Sequence, residues 1–222
     1  MLIAFEGMDG SGKSSISKAV SQRINIKHET QKIVKLLNVD LPIYKDFISK
    51  IRKSSNKRLA LIFYTFRCML DKEENEDLIV ERSMISTYYY EHNKISDEEF
   101  SYLLSLDCIP DITFILYASS EERKKRIFYR DSQDEDLKSE EALFDGYKDM
   151  LECANKFNFP YIGLNTEKYS YEEIIDICSN IIKDFKSLDE NERINYISKM
   201  NDEFGFDYMY KERVLVLSEK EI

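Results

Sequence analysis

Near the start of the chain, Phe5 to Ser15 reads FEGMDGSGKSS. Gly7, Gly12, Lys13 and Ser14 stand at the spacing GxxxxGK[ST], directly after the apolar run Leu2 to Phe5 and directly before a helical pattern. A buried strand that turns into a helix through glycines needs cover on both faces of its sheet, which leaves few architectures open. The glycines let the backbone curl and turn several N–H groups inward. Those donors sit at the positive end of the following helix dipole, so the loop forms a cradle for anions.

On this reading Gly7, Gly10, Ser11, Gly12, Lys13, Ser14 and Ser15 hold the phosphates of ATP. Lys13 neutralises the β- and γ-phosphates, and the Ser14 hydroxyl is placed to ligate Mg²⁺. Such loops also serve switches and motors, so other residues must decide the chemistry. A GTPase would carry a guanine-reading NKxD string. The nearest string here is Asn165-Thr166-Glu167-Lys168, which lacks the final acid.

Beyond the loop, short apolar runs alternate with longer amphipathic stretches, the pattern of βαβ units around a parallel sheet. The strand candidates are Leu2 to Phe5, Ile24 to Lys27, Leu78 to Val80, Ile112 to Tyr117 and Tyr161 to Leu164. Helices are expected in Thr30 to Asn75, in Ser83 to Leu106, on both sides of the acidic string DSQDED within Ser119 to Phe157, and over Tyr171 to Phe185. DSQDED reads as a mobile loop. The expected fold is α/β, a P-loop NTPase three-layer sandwich with a five-stranded parallel sheet. Residues 1–186 form the catalytic domain. Residues 187–222, which mix charges with GFDYMY and VLVL, form an extension of unknown role that packs on the same domain.

A chain of 222 residues suits one core, and 43% apolar with 33% charged residues is the composition of a globular protein. The formal charge of −10 opposes broad binding to nucleic acid or to anionic membranes. No apolar run approaches the roughly 20 residues of a spanning helix, and no leader pattern follows Met1, so a cytoplasmic protein is expected. Cys68, Cys108, Cys153 and Cys178 lack CxxC spacing and read as reduced core thiols, while His28 and His92 stand alone.

Several ordered motifs over the first five-sixths of the chain resemble the thymidylate kinase family. FEGMDGSGK is similar to that family's phosphate loop, including the acid Asp9; LIFYTFR (61–67) resembles its acceptor helix; LIVERS (78–83), PDITFIL (110–116) and SSEERKKRIFYRD (119–131) resemble its third strand, fourth strand and lid. The resemblance implies transfer of the γ-phosphoryl group of ATP to a deoxynucleoside monophosphate, most simply dTMP, and a helical lid over about 119–140. It implies that Asp9 contacts the acceptor sugar or the arginines near the transferring phosphate. Phe63 stacks on the acceptor base and Arg67 meets its phosphate or a base oxygen. Glu81 orients Mg²⁺-bound water and Arg82 holds phosphate, at the carboxyl end of a strand where ligands of open sheets collect. Arg123, Arg126 and Arg130 share one helical face by their spacing, and that face is expected to close over the phosphates. With Ser11 at a loop position that is basic in some relatives, the lid arginines Arg126 and Arg130 carry the catalytic charge. By the same analogy a homodimer is possible.

Two strings depart from the family pattern. Where thymidylate kinases show Glu-Pro-Gly-Gly-Thr after the second strand, this chain has His28-Glu29-Thr30-Gln31-Lys32; where they show Asp-Arg-aromatic, it has Glu81-Arg82-Ser83, which resembles deoxynucleoside kinases. Glu29 then has two readings, a base for an acceptor hydroxyl or a contact to the acceptor sugar. Deoxynucleoside kinase is therefore the alternative, and noncatalytic nucleotide binding a more distant one.

Overall fold

Leu2–Gly7 forms β1, and all six residues are buried, as expected of a strand covered on both faces. The structure is a computed structural model that describes residues 1–29, 40–56, 58–73, 76–91, 95–138 and 146–205. After β1 come α1 (Lys13–Ile24), β2 (Lys27–Glu29), α2 (Leu41–Lys53), α3 (Leu59–Lys72) and β3 (Leu78–Glu81). The chain continues through α4 (Met84–Glu91), α5 (Asp97–Leu104), β4 (Ile112–Tyr117), α6 (Ser120–Arg130) and a 3₁₀ turn, Glu135–Lys138. The described residues close with α7 (Tyr147–Lys156), β5 (Tyr161–Asn165), α8 (Tyr171–Ser187) and α9 (Glu190–Phe204). The expected helices around Thr30–Gln31–Lys32 and Asn75, together with His92 and the VLVL string, fall wholly or partly outside the described residues.

The five strands run parallel in the order β2-β3-β1-β4-β5. β1 is central: Phe5 lies beside Glu81 of β3 and Phe114 of β4, so the loop after β1 opens between the ends of both neighbours. One apolar layer joins Phe5, Phe114 and Leu164 of the sheet to Ile16 and Val20 of α1 and to Cys178 and Phe185 of α8; a second, on the opposite face, joins Ile115 to Leu61, Met84, Met150 and Phe100. These are the three layers the alternation of apolar runs predicts.

One strand expectation is corrected. Ile24 to Lys27 is not a strand, because Ile24 ends α1, Asn25 takes the left-handed conformation at φ 52 and its N–H returns to the Ser21 carbonyl. Asparagine tolerates that geometry and so acts as the helix stop. β2 begins only at Lys27. The other strand expectations hold to within a residue or two.

The segment after α8 forms α9, which an Asp189 capping box starts and which lies along β5. Asn201 fastens it by donating to the Tyr161 carbonyl at 2.7 Å and accepting from Gly163 N–H at 3.1 Å. All four cysteines are free and buried. Among the described residues no helix is long and apolar enough to cross a membrane.

Candidate functional site

The loop from Gly7 to Gly12 follows β1 and ends where Lys13 starts α1. Two of its glycines are required by contact: a Cβ on Gly7 would stand 2.4 Å from the Leu116 carbonyl oxygen, and one on Gly10, at φ 83, would stand 2.9 Å from that of Arg123. Ser11 closes the turn from beneath. Its N–H donates to the Met8 carbonyl at 3.1 Å and its side chain is fully buried, so the hydroxyl faces the protein.

Lys13 is buried beneath the same loop, where Nζ donates to the Met8 carbonyl at 3.0 Å and meets Asp9 Oδ1 at 3.3 Å. Burial, reinforced by the Arg82 charge and partly offset by Asp9, pushes its pKa down to about 8. Arg82 reaches the same Asp9 oxygen from the end of β3, with Nη2 at 2.7 Å. Burial alone would raise Asp9, but Lys13 and then Arg82 outweigh it and hold the carboxyl below its usual range. Arg82 stands at φ 67, with its N–H bonded to the Phe5 carbonyl at 3.0 Å and its guanidinium 5.5 Å from the Tyr90 ring centroid. The site thus joins β1 to β3 through Asp9 and Arg82.

On the other side of Lys13, Ser14 Oγ donates to Glu81 Oε2 at 2.5 Å. Glu81 Oε1 lies 3.6 Å from His28 Nε2, which pairs with Ser17 Oγ at 3.0 Å. Burial lowers the His28 pKa against the opposing pull of Glu81. Among the described residues no three His, Cys, Asp or Glu side chains form a metal cluster. A hydroxyl and a carboxylate side by side nevertheless suit Mg²⁺, which is commonly held by one or two protein oxygens and completed by substrate phosphates. Glu29, at the end of β2, is buried beside Val80.

Phe63 and Arg67 lie on α3. Phe63 meets Phe47 of α2 edge-on, with centroids 5.8 Å apart, and Tyr64 at 5.4 Å. Arg67 stacks 5.7 Å from the Tyr64 centroid and donates through Nη2 to the Arg82 carbonyl at 2.8 Å. One arm of Arg67 is therefore spent on fixing the backbone that presents Arg82.

Helix α6 separates three arginines that their spacing places together. Arg123 is fully buried and points under the phosphate loop, where Nη1 donates to the Asp9 carbonyl at 3.3 Å. Its expected place on a face that closes over the phosphates is thereby corrected, because the first turn of α6 lies against Gly10. Arg126 is tied to the loop after β5, with Nη1 at 2.8 Å from Thr166 Oγ1, and to Glu122 at 2.9 Å. Arg130 is exposed and pairs with Asp134. The DSQDED string turns back beside the site: burial, then the nearness of Asp9 and Asp134, push the Asp136 carboxyl up.

Three contributors were missing from the sequence reading: Arg123 as a prop for the loop, Asp136 at the mouth, and Glu6. Glu6 is buried in β1 and accepts from the backbone and hydroxyl of Ser83 at 2.6 and 2.7 Å. A carboxylate inside a strand with no exposed face was itself a signal, since a buried charge needs partners.

The family model described as Thymidylate kinase matches residues 5–176. A probable thymidylate kinase of Methanocaldococcus jannaschii is 31% identical over 180 residues, which cover 78% of this chain and 91% of that protein. Among solved structures, a deoxyadenosine kinase from M. mycoides superposes with a TM-score of 0.55 at 20% identity, covering 83% of this chain and all of that one. A thymidylate kinase from Ehrlichia chaffeensis gives the same score and identity over 82% of this chain and 98% of its own. With the loop, the acid within it and the Arg82 contact all inside the matched span, the chain belongs to the thymidylate kinase family.

Proposed function

We propose that this kinase transfers the γ-phosphoryl group of ATP to a deoxynucleoside monophosphate, with dTMP as the first choice of acceptor. The observation that carries the reading is the convergence of Lys13 and Arg82 on one oxygen of Asp9 at the mouth of the phosphate loop. Two cations held by one acid form a mount ready for phosphate, which can take over the contacts that Asp9 makes in its absence.

In this reading the β- and γ-phosphates lie on the backbone from Gly7 to Ser15, with Lys13 beneath them. Ser14 and Glu81 would hold Mg²⁺, which when bound neutralises charge between the β- and γ-phosphates. The acceptor enters between Phe63 and Tyr90, and its phosphate meets Arg82. An acceptor oxygen forms the new bond to the γ-phosphorus as the bond to the β–γ bridging oxygen breaks, and ADP leaves. The acceptor is already an oxyanion, so no base is needed; the protein supplies alignment and positive charge. Arg130 joins that charge when it exchanges Asp134 for phosphate.

The test is ADP production from ATP with a panel of nucleosides and their monophosphates. Turnover with dTMP and none with thymidine is expected; turnover confined to nucleosides would overturn the reading. Buried Glu29 together with Glu81-Arg82-Ser83 favours one second reading, a deoxynucleoside kinase in which Glu29 takes the acceptor's hydroxyl proton. Glu29→Gln separates the two, since only the nucleoside kinase loses all turnover.

The same reading includes a homodimer in the cytoplasm. Exposed Ile62 of α3 and Tyr102 of α5 border an apolar groove of about 410 Å³, rimmed by the Arg58–Glu99 ion pair, whose apolar floor a second copy would cover. Sedimentation velocity at micromolar concentration should give a dimer that Ile62→Asp breaks; a monomeric wild type removes the proposal. Cell fractionation that left the native protein with membranes would contradict the location.

A further inference from the structure

A charged side chain within a fully covered strand destabilises the fold unless its lone pairs are used. Glu6 uses them on one short stretch. Its Oε1 accepts from Ser83 N–H at 2.6 Å, Ser83 Oγ at 2.7 Å and Ser86 N–H at 3.1 Å, and its Oε2 accepts from the Ser86 hydroxyl. Those donors surround the start of α4, so the carboxylate caps that helix from inside the sheet.

Capping alone does not account for Ser86. A serine hydroxyl has one proton and accepts through its lone pairs. Here the proton goes to Glu6, which leaves the oxygen turned outward, and Arg82 Nη1 donates to it at 3.2 Å. The other arm of the same guanidinium holds Asp9 at 2.7 Å. The backbone of Arg82 is fixed separately, in the left-handed conformation, by the Phe5 carbonyl and Arg67. Orientation of the guanidinium is then left to Asp9, Ser86 and Tyr90, and of these Ser86 is bonded to a strand side chain, Glu6 of β1.

We infer that Glu6, acting through the Ser86 hydroxyl, is the positioning residue that aims the Arg82 guanidinium at the phosphate site. When an incoming phosphate displaces Asp9, the Ser86 contact keeps Arg82 directed at the transferring group. The effect on turnover rests on the role proposed above for Arg82; the aiming itself does not.

Ser86→Ala removes the link and leaves Glu6 its three donors on Ser83 and on the backbone of residue 86. It is expected to lower kcat about tenfold while KM for ATP stays within about twofold, the signature of a contact felt in the transition state. In enzyme labelled with ¹⁵N-arginine, the Arg82 Nε resonance, identified by its loss in Arg82→Lys, should move toward the free-arginine position. Glu6→Gln turns an amide donor toward Ser86 and should do the same. The double variant should lose no more than either single one, because the two groups act in series. Losses that multiply, or an Arg82 resonance that stays in place in Ser86→Ala, would overturn the inference. Should Glu6→Gln fail to fold, the resonance in Ser86→Ala decides alone. Full kcat in Arg82→Ala would instead remove the proposed role of Arg82 in transfer, and the resonance would still report whether Ser86 holds it.

Discussion

Lys13→Met is expected to abolish activity and at the same time to stabilise the ligand-free protein. The Lys13 pKa falls from its ordinary 10.5 to about 8, chiefly through burial and the Arg82 charge, with the attraction of Asp9 already included. A drop of about 2.5, at about 1.4 kcal/mol for each unit, means that the charged form costs the fold on the order of 3 kcal/mol at neutral pH. Methionine fills nearly the same volume without charge. It also deprives the Met8 carbonyl of a donor, which offsets about 1 kcal/mol and leaves a gain of about 2 kcal/mol. For a chain of this length that raises Tm by about 4 to 8 °C. The folded state releases the Lys13 proton from about pH 8 upward while the unfolded chain keeps it until 10.5, so the wild type gains on the variant across that window. Thermal unfolding followed by circular dichroism at pH 6.5 and pH 10 measures both effects. A variant less stable than wild type at pH 6.5, or a gap equal at the two pH values, would refute the reasoning. Mg-ATP should raise the Tm of the wild type and not of the variant.

Gly10→Ala forces a methyl to within 2.9 Å of the Arg123 carbonyl at a positive φ, so it should weaken Mg-ATP binding at least tenfold by calorimetry. Unchanged affinity would show that the loop relaxes freely. Arg126→Ala and Arg130→Ala should split: the first, tied to Thr166, raises KM for ATP, whereas the second, free to leave Asp134, lowers kcat about a hundredfold. The same kinetic effect from both would mean that the two arginines share one role. Burial pushes the Cys68 thiol up to about 11 and that of Cys108 up to about 12, so the native protein should not react with a thiol reagent at pH 8 and should react after denaturation.

The phosphate loop was legible because its information is local: spacing, glycines and the flanking strand and helix all lie within Leu2 to Ile24. The sheet was legible for a similar reason, since strands covered on both faces must be apolar throughout. What escaped depends on distance along the chain. Glu6 looks like an interruption in an apolar run until Ser83 and Ser86 are brought to it from nearly eighty residues away. Helical spacing puts Arg123, Arg126 and Arg130 on one stripe, but it cannot tell how a helix is tilted. Burial fades along α6 from Arg123 to Arg130, so one stripe serves as prop, tether and exposed ion pair in turn. Asn25 escaped because an apolar pair beside a helix stop looks like the beginning of a strand.

Gly10 and Arg123 meet backbone to backbone, and this limits where the lid can hinge. The first turns of α6 are wedged against the phosphate loop, Arg126 is bound to the loop after β5, and Ile127 is sealed in the interior. In the proposed lid, bending would be confined to the chain from Phe128 onward. Arg130 and the acidic turn would swing as one arm about a fixed stump, and each opening would leave the floor of the phosphate cradle undisturbed for the next nucleotide.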